Sequence, residues 1–345
     1  MASPETVRLS IAAAMTLGFR PGKFFRNARL GCINLLMEYD NGCSANCLYC
    51  GQARETSEGP ECRSLIRVQW PSYALSEVIE AIERAAEKAN FIQRVCVSSL
   101  TSSAAPDDLV KIVKEVRTGT GLKVSTLITP TSFKKTDFES IKSAGAENIT
   151  IAVDTATPKL FEQLRGKGAR GPHRWKRYIQ GIEEAVGVMG SGHGGVGVHL
   201  IIGLGETEDE AVRFIQTCYN MGARVHLFSF YPEKGTVMED GPQPPIEHYR
   251  RVQLARYLID RGISRYEDMR FESGRLLDFG LPETEVLSVI RKGTAFMTTG
   301  CPGCNRPYAN ETPTQAMEGL LRNYPFPLNA QDIQIVEEQM GRPLP

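Results

Sequence analysis

The chain has 345 residues, 41% of them apolar, enough to bury one large core or a pair of modest ones. Its 40 basic and 40 acidic residues cancel, with no long basic block and no basic-aromatic interleaving, so neither nucleic acid nor an anionic membrane is expected as an obligatory partner. No apolar run is long enough to span a bilayer, residues 1–20 carry Glu5 without a secretory charge pattern, and nine cysteines make an odd, sparse set, so a cytoplasmic, reducing home is expected rather than a disulfide scaffold.

Taken in chain order, Pro4 and Gly18 stand as start and stop of a short helix over 4–17. Short apolar strands then alternate with longer amphipathic helices. Strands are predicted at 31–39, 94–100, 122–128, 148–154, 197–203, 224–230, 264–270 and 294–298. Helices are predicted at 75–90, 106–116, 136–144, 175–189, 208–221, 246–261 and 284–292; in the first, Leu75, Val78, Ile79, Ile82 and Ala86 share one face, and in the second Leu109, Val110 and Val113 do the same. Strands buried on both sides and alternating with helices predict an α/β fold, a closed (β/α)8 barrel of the TIM type over 31–299. A helical segment (1–30) precedes it and an extension (300–345) follows; a partial barrel of six units with a C-terminal extension is the alternative.

On this map the residues fit for chemistry fall at or beyond C-terminal strand ends, the catalytic face of such barrels. They are the cysteines after the first strand, Ser98-Ser99, Asp154-Thr155, Gly203 to Glu206, Tyr231-Pro232, Arg270 and Cys301. Each taken singly could serve loop packing or capping instead.

Cys43, Cys47 and Cys50, in Asn41-Gly-Cys-Ser-Ala-Asn-Cys-Leu-Tyr-Cys-Gly51, can grip only three corners of a 4Fe-4S cube. Electron-carrying clusters have every iron ligated by protein, whereas an open iron can bind and polarise a ligand. Zinc would want a fourth Cys or His at finger or ribbon spacing, and Cys32 and Cys62 stand outside it. The Cys-x3-Cys-x2-Cys pattern, with Tyr49 before its last cysteine, resembles the signature of the radical S-adenosylmethionine (SAM) superfamily. That resemblance implies a 4Fe-4S cluster whose open iron chelates the amino and carboxylate groups of SAM and whose electron splits the sulfonium to a 5'-deoxyadenosyl radical.

Arg165 and Arg174, with Arg170, are candidate donors to the SAM carboxylate, because a guanidinium fork matches that group; solvated surface charge is the alternative for each. Asp154, ending a strand, suits the ribose hydroxyls, while an N-cap role there is better served by Thr155 or Thr157. Tyr49 and Ser98 are further candidate cofactor contacts. Gly203 and Gly205, followed by Glu206, let the backbone come close to a flat ligand, and this Gly-Leu-Gly-Glu resembles the adenine-contacting turn of the biotin-synthase-like radical SAM enzymes.

Cys301-Pro-Gly-Cys304 is a metal knuckle whose Pro302 and Gly303 set the turn. Cys32 is the first choice for a third ligand, against the alternative of an inert buried thiol; Cys62, Cys96 and Cys218 are weaker candidates, Cys218 as a packing residue. A redox-active dithiol or a zinc knuckle remain as other readings of Cys301 and Cys304.

Nearly the whole chain resembles the biotin-synthase-related branch of the superfamily and is most similar to one component of the two-protein lipoyl synthases of archaea and some bacteria. The stretches carrying this are Asn34-Leu-Leu-Met-Glu-Tyr39, Ile66-Arg-Val-Gln-Trp-Pro71, Leu164-Arg-Gly-Lys-Gly-Ala-Arg-Gly-Pro-His173, His226-Leu-Phe-Ser-Phe-Tyr-Pro232 and Thr299-Gly-Cys-Pro-Gly-Cys-Asn-Arg-Pro-Tyr308. Biotin synthases hold a sulfur-donating 2Fe-2S cluster with three strand cysteines and an arginine. Met269-Arg270-Phe-Glu-Ser-Gly-Arg275 resembles the arginine-bearing strand and Cys96 matches the first cysteine, but Val124-Ser-Thr-Leu127 and the stretch holding His199 lack the other cysteines. Biotin synthesis is therefore not expected. The resemblance implies instead an auxiliary 4Fe-4S cluster at Cys301, Cys304 and Cys32 as a sacrificial sulfur source, with Arg270 a candidate catalytic residue whose contact, to iron, SAM or substrate, stays open. It also implies insertion of one of the two lipoyl sulfurs into an octanoyl chain. The implied partners are an octanoylated lipoyl domain or its peptide, a second lipoyl synthase component, and an electron donor such as ferredoxin or flavodoxin. A radical SAM mutase without sulfur insertion and a non-catalytic iron-sulfur subunit are the rival classes.

Overall fold

The computed structural model describes residues 2–57, 64–65, 68–190, 192, 194–307, 317–318 and 320–341. Cys62, Ile66, Arg67 and Tyr308, named above, lie outside the described residues.

The chain opens with β1 (Thr6–Leu9) and α1 (Ile11–Thr16), so the helix expected over 4–17 is in fact a strand followed by a shorter helix. Val7 and Leu9 alternate in the pattern of a strand, and Ser10 then caps the alanine-rich helix by accepting from Ala13 N at 3.2 Å. Next come β2 (Cys32–Met37), the short strands β3 (Ser64–Leu65), β4 (Val68–Gln69) and β5 (Ser72–Ala74), and α2 (Leu75–Lys88). A regular series follows: β6 (Arg94–Ser98), α3 (Ala105–Thr120), β7 (Lys123–Ile128), α4 (Lys135–Ser143), β8 (Ala146–Asp154), α5 (Pro158–Leu164), α6 (Trp175–Met189), β9 (Val196–Ile202), α7 (Glu208–Asn220), β10 (Arg224–Ser229) and α8 (Ile246–Asp260). The described part closes with a hairpin of β11 (Arg270–Glu272) and β12 (Arg275–Asp278), then α9 (Glu283–Arg291) and α10 (Ala330–Gln339).

The main sheet has eight strands in the order β10-β9-β8-β7-β6-β2-β1-β5, giving the α/β, barrel-like architecture expected. Its make-up differs from the expected closed barrel of eight parallel strands: β10 and β5 are the two edges of the sheet, and six of its strands are parallel. The run from β2 to β10 is parallel, and the remaining pair, β1 and β5, are antiparallel strands from the N-terminal part. The strands expected at 264–270 and 294–298 are not in this sheet. Residues Tyr266–Asp268 and Thr294–Phe296 form single 3-10 turns, and Arg270 begins the separate hairpin. Runs as short as Ala295-Phe296-Met297 carry too little period to separate strand from turn.

Residue parity along the parallel strands explains both the core and the site. One face of each strand is aliphatic and fully covered by helices: Ile33 and Leu35, Val95 and Val97, Ile149 and Ile151, Val198 and Leu200. The other face turns inward and is built mostly from small residues, among them Cys96, Ser98, Ser125, Thr150, Ala152 and Gly197. Barrels of this kind are ordinarily filled by branched side chains. Here small side chains leave the interior open: Asn34, Cys96, Leu127, Ala152, His199 and Ile201 remain half-buried while their neighbours along each strand are buried.

Arg94 closes the N-terminal end of this space. Its side chain is buried and donates to Ser125 Oγ at 2.8 Å, to Asn148 Oδ1 at 2.7 Å and to Pro302 O at 2.9 Å, tying three strands to the cysteine knuckle. Arg94→Met would leave these acceptors without a donor and is expected to cost about 3 kcal/mol. A urea titration checks it, the midpoint falling with an unchanged slope.

Candidate active site

The loop after β2 carries Cys43, Cys47 and Cys50 and is fixed by the segments that follow β6 and β8. Ser44 N donates to Thr101 O at 2.9 Å, Leu48 N to Leu164 O at 3.0 Å, and Asn46 Nδ2 to Ala169 O at 2.8 Å. Gly51 allows a close approach that any Cβ would block, since that atom would stand 2.5 Å from Ser64 O. The three cysteines open onto one cavity at the C-terminal ends of the strands.

Tyr49, Asp154 and Arg165 form a linked set on its wall. Tyr49 Oη donates to Asp154 Oδ2 at 2.8 Å, and Arg165 lies 3.3 Å from the same oxygen while donating to Val153 O at 2.5 Å. Asp154 holds a left-handed backbone (φ 67), a strained conformation for a residue with a side chain, as is common where a site fixes a group in place. Burial pushes the Cys47 thiol up, and the Arg165 guanidinium beside it partly offsets that push; burial also pushes Cys50 up. Thiols held neutral by burial become thiolates when they coordinate a metal, so this donor set fits a cluster, with Arg165 offering positive charge next to it.

Ser98 lines the same cavity. Gly203 (φ 105) and Gly205 (φ 116) make the turn after β9, and Glu206 secures it by accepting from Gly203 N at 2.6 Å and Leu204 N at 3.0 Å. Burial raises the Glu206 carboxyl to about 7 against those hydrogen bonds. Leu204 packs in one apolar cluster with Cys43, Cys47 and Tyr49, so the turn adjoins the cavity from its rim. Arg174 does not join them: it is exposed and turned onto Gly171 O and His173 O, at 3.0 and 2.6 Å. Arg170 is likewise exposed, paired with Glu55. His173, next to Arg174 in the chain, is instead buried on the cavity wall with Nδ1 2.6 Å from Thr131 Oγ1 and 2.9 Å from Tyr178 Oη.

The second cysteine pair lies at the opposite end of the barrel. Cys301 was expected at the C-terminal strand ends, but Gly31 N donates to Asn305 Oδ1 at 3.0 Å and Arg94 holds Pro302, so the knuckle seats against the strand starts. Its loop returns from α9 underneath the sheet, which chain order alone does not reveal. Cys301 reaches inside, 3.8 Å from Thr150 Oγ1. Cys32, Cys96, Cys301 and Cys304 line one cavity. A hydrogen bond from Cys32 pulls Cys304 below the usual thiol range, helped by Arg306 and Arg94, and pushes Cys32 up. Cys96, taken above as a weaker candidate, thus stands with the knuckle, while Cys218 is buried in the helix-side core. Among the described residues no three His, Cys, Asp or Glu side chains close round one point as a single ion requires. The thiols line one cavity, and a cube would take its protein ligands at separate irons.

Arg270 is not at this site. It is exposed on β11, in a hairpin held outside the barrel by Glu208, which accepts from Leu276 N at 2.7 Å and pairs with Arg251 at 2.6 Å. The guanidinium facing the thiols is that of Arg306, stacked 3.9 Å over the Phe228 ring and donating to Thr299 O at 2.6 Å. Its position two residues after Cys304 was the signal available in the sequence. His226, named above only within a matching stretch and not as a site residue, lines the same cavity.

A fold of this kind, with three cysteines on the loop after the first parallel strand, has a match among known proteins: the profile of the Radical SAM superfamily covers residues 37–218, over half the chain. The chain belongs to the radical SAM superfamily. It is similar to the biotin synthase of Paramagnetospirillum magneticum, 24% identical over 231 residues, 65% of this chain and 64% of that protein. The match thus spans slightly less than two thirds of that relative. To the biotin synthase of Rhodopseudomonas palustris it is 24% identical over 318 residues, covering 88% of this chain and 82% of the other. In fold it is similar to the FeFe-hydrogenase maturase HydG from Carboxydothermus hydrogenoformans, with a TM-score of 0.50 and 14% identity over 73% of this chain and 56% of that one. Among the described residues no helix is long and apolar enough to cross a membrane.

Proposed function

We propose that this chain inserts sulfur into an unactivated C–H bond of an octanoyl chain carried on a lipoyl domain, supplying one of the two sulfurs of the lipoyl group. The observation that carries this reading is that two cysteine-lined cavities occupy opposite ends of one open barrel and meet at a shared wall. Cys43, Cys47 and Cys50 would hold the SAM-binding 4Fe-4S cluster, and Cys32, Cys301 and Cys304, with Cys96 beside them, the auxiliary one. When bound, the first group with SAM supplies a radical able to take hydrogen from a saturated carbon, and the second supplies sulfide.

The chain's own residues do the remainder. Tyr49, Asp154 and Arg165 fix the polar wall on the SAM side, and the Gly203–Glu206 turn borders it. Leu36, Leu100, Ile201, Phe228 and Phe230 line the space with hydrocarbon, which keeps water from a reactive carbon and favours an aliphatic guest. The small inward residues leave the width that such a guest needs. Arg94 and Arg306 place positive charge beside the lower thiols, as an anionic cluster requires. A second lipoyl synthase component would add the other sulfur, and a ferredoxin or flavodoxin would deliver electrons.

The test is to load the protein anaerobically, count its iron, and supply SAM, reductant and an octanoyl-lysine peptide. About eight irons per chain, as two cubes require, and a peptide heavier by one sulfur are expected. Iron for a single cube, or a peptide that never gains sulfur, would overturn the reading and favour a radical rearrangement.

A further inference from the structure

We propose that Leu127 and His199 form a constriction that selects which carbon of the acyl chain reacts; this rests on the sulfur-insertion reading. The upper and lower cavities share part of their lining. Leu65, Ser98, Leu127 and His199 line both. Of the three on the parallel strands, Leu127 and His199 are the bulky ones, and they stand on β7 and β9 on either side of β8.

Their exposure is to the interior. Leu127 and His199 are half-buried, while Thr126, Ile128, Val198 and Leu200 on the same strands are buried. Ser125, Thr150, Ala152 and Gly197 beside them are small, so among the strand residues that line both cavities these two side chains set the width. His199 is held in place: its ring centroid lies 4.6 Å from Phe228 and 5.9 Å from His226. His226 in turn fits because Gly197 has no Cβ, which would stand 2.5 Å from its Cε1. Burial keeps the His199 ring neutral, so it adds no charge to a passage meant for hydrocarbon.

The geometry demands a selector of this kind. Reacting atoms must approach within about 3–3.5 Å, so only the carbon level with the shared wall is in reach from both cavities. A slip of one methylene would present the wrong carbon. A packed side chain discriminates one methylene by about 10-fold or more, and rigid neighbours such as Phe228 and His226 prevent the wall from yielding.

The experiment uses the loaded protein with octanoyl-lysine peptides deuterated at one carbon at a time and reads deuterium in the 5'-deoxyadenosine released. The unaltered chain should take deuterium from one carbon. Leu127→Ala should lower that preference by about 10-fold, with transfer from adjacent carbons, while the volume-conserving Leu127→Met retains it. His199→Ala is the second variant should Leu127→Ala fail to load iron. A readout without turnover comes from Trp70, which lines the lower cavity: its fluorescence, titrated with acyl-lysine peptides of graded length, should shift toward longer chains in Leu127→Ala. Unchanged single-carbon transfer in loaded variants at both positions overturns the proposal. Transfer without any sulfur product removes the sulfur reading and leaves the constriction standing. No transfer from any carbon by the unaltered protein removes the octanoyl substrate, and the proposal falls with it.

Discussion

Cys50→Ala is expected to take SAM cleavage to background and to strip about four irons per chain while about four remain. Among the described residues only Cys43, Cys47 and Cys50 bring thiols to the upper cavity. A cube that leaves one iron for SAM needs all three, so two thiols leave a second iron without a protein ligand. The loop itself should survive the change. It is anchored through Ser44 N, Leu48 N and Asn46 Nδ2, none of which involves a cysteine side chain, and alanine keeps the Cβ that the site already accommodates. The stability cost should stay near about 1 kcal/mol. Chromatographic assay of 5'-deoxyadenosine, with iron analysis and Mössbauer spectra, measures the effect. Undiminished 5'-deoxyadenosine would sink the assignment of the triplet.

How far the sequence discloses this molecule depends on the range of the interaction concerned. The helix at 175–189 matches Trp175–Met189 because Tyr178, Ile182 and Ala185 fall on one buried stripe. The parallel strands are legible for a similar local reason, β-branched and leucine residues on the helix-facing side. Their parity also places Cys32, Asn34 and Leu36 on one face, which supports pairing Cys32 with the knuckle. What fails is non-local. Arg94 reads as a surface charge at a strand start, yet its acceptors lie on β7, on β8 and in the loop at Pro302. Arg270 follows a buried Met269 and looks like the end of a barrel strand, but Gly274 (φ 80) turns the chain into a hairpin and leaves the arginine in solvent. The knuckle was put at the wrong end of the barrel because its position in the chain says nothing about which way the segment after α9 returns.

The double variant Cys301→Ala/Cys304→Ala should do the opposite of Cys50→Ala: keep SAM cleavage within about twofold and abolish the sulfur-containing product. The two sites can be separated because different residues support them. The upper loop rests on Thr101, Leu164 and Ala169, whereas the knuckle rests on Arg94 and Gly31 through Pro302 O and the Asn305 side chain. Removing the lower thiols leaves those anchors intact, so the segment should stay seated and the barrel closed below. Iron should again fall from about eight to about four per chain, but the remaining cube should be the one that responds to SAM in its Mössbauer and EPR spectra. Product analysis by mass spectrometry decides the matter, and a peptide that gains sulfur from this variant would remove the donor role of the knuckle. The pair of variants tests more than either alone. If each removes a different cube, hydrogen abstraction and sulfur supply belong to separate ends of one barrel, and the carbon that links them must sit at the wall that both cavities share.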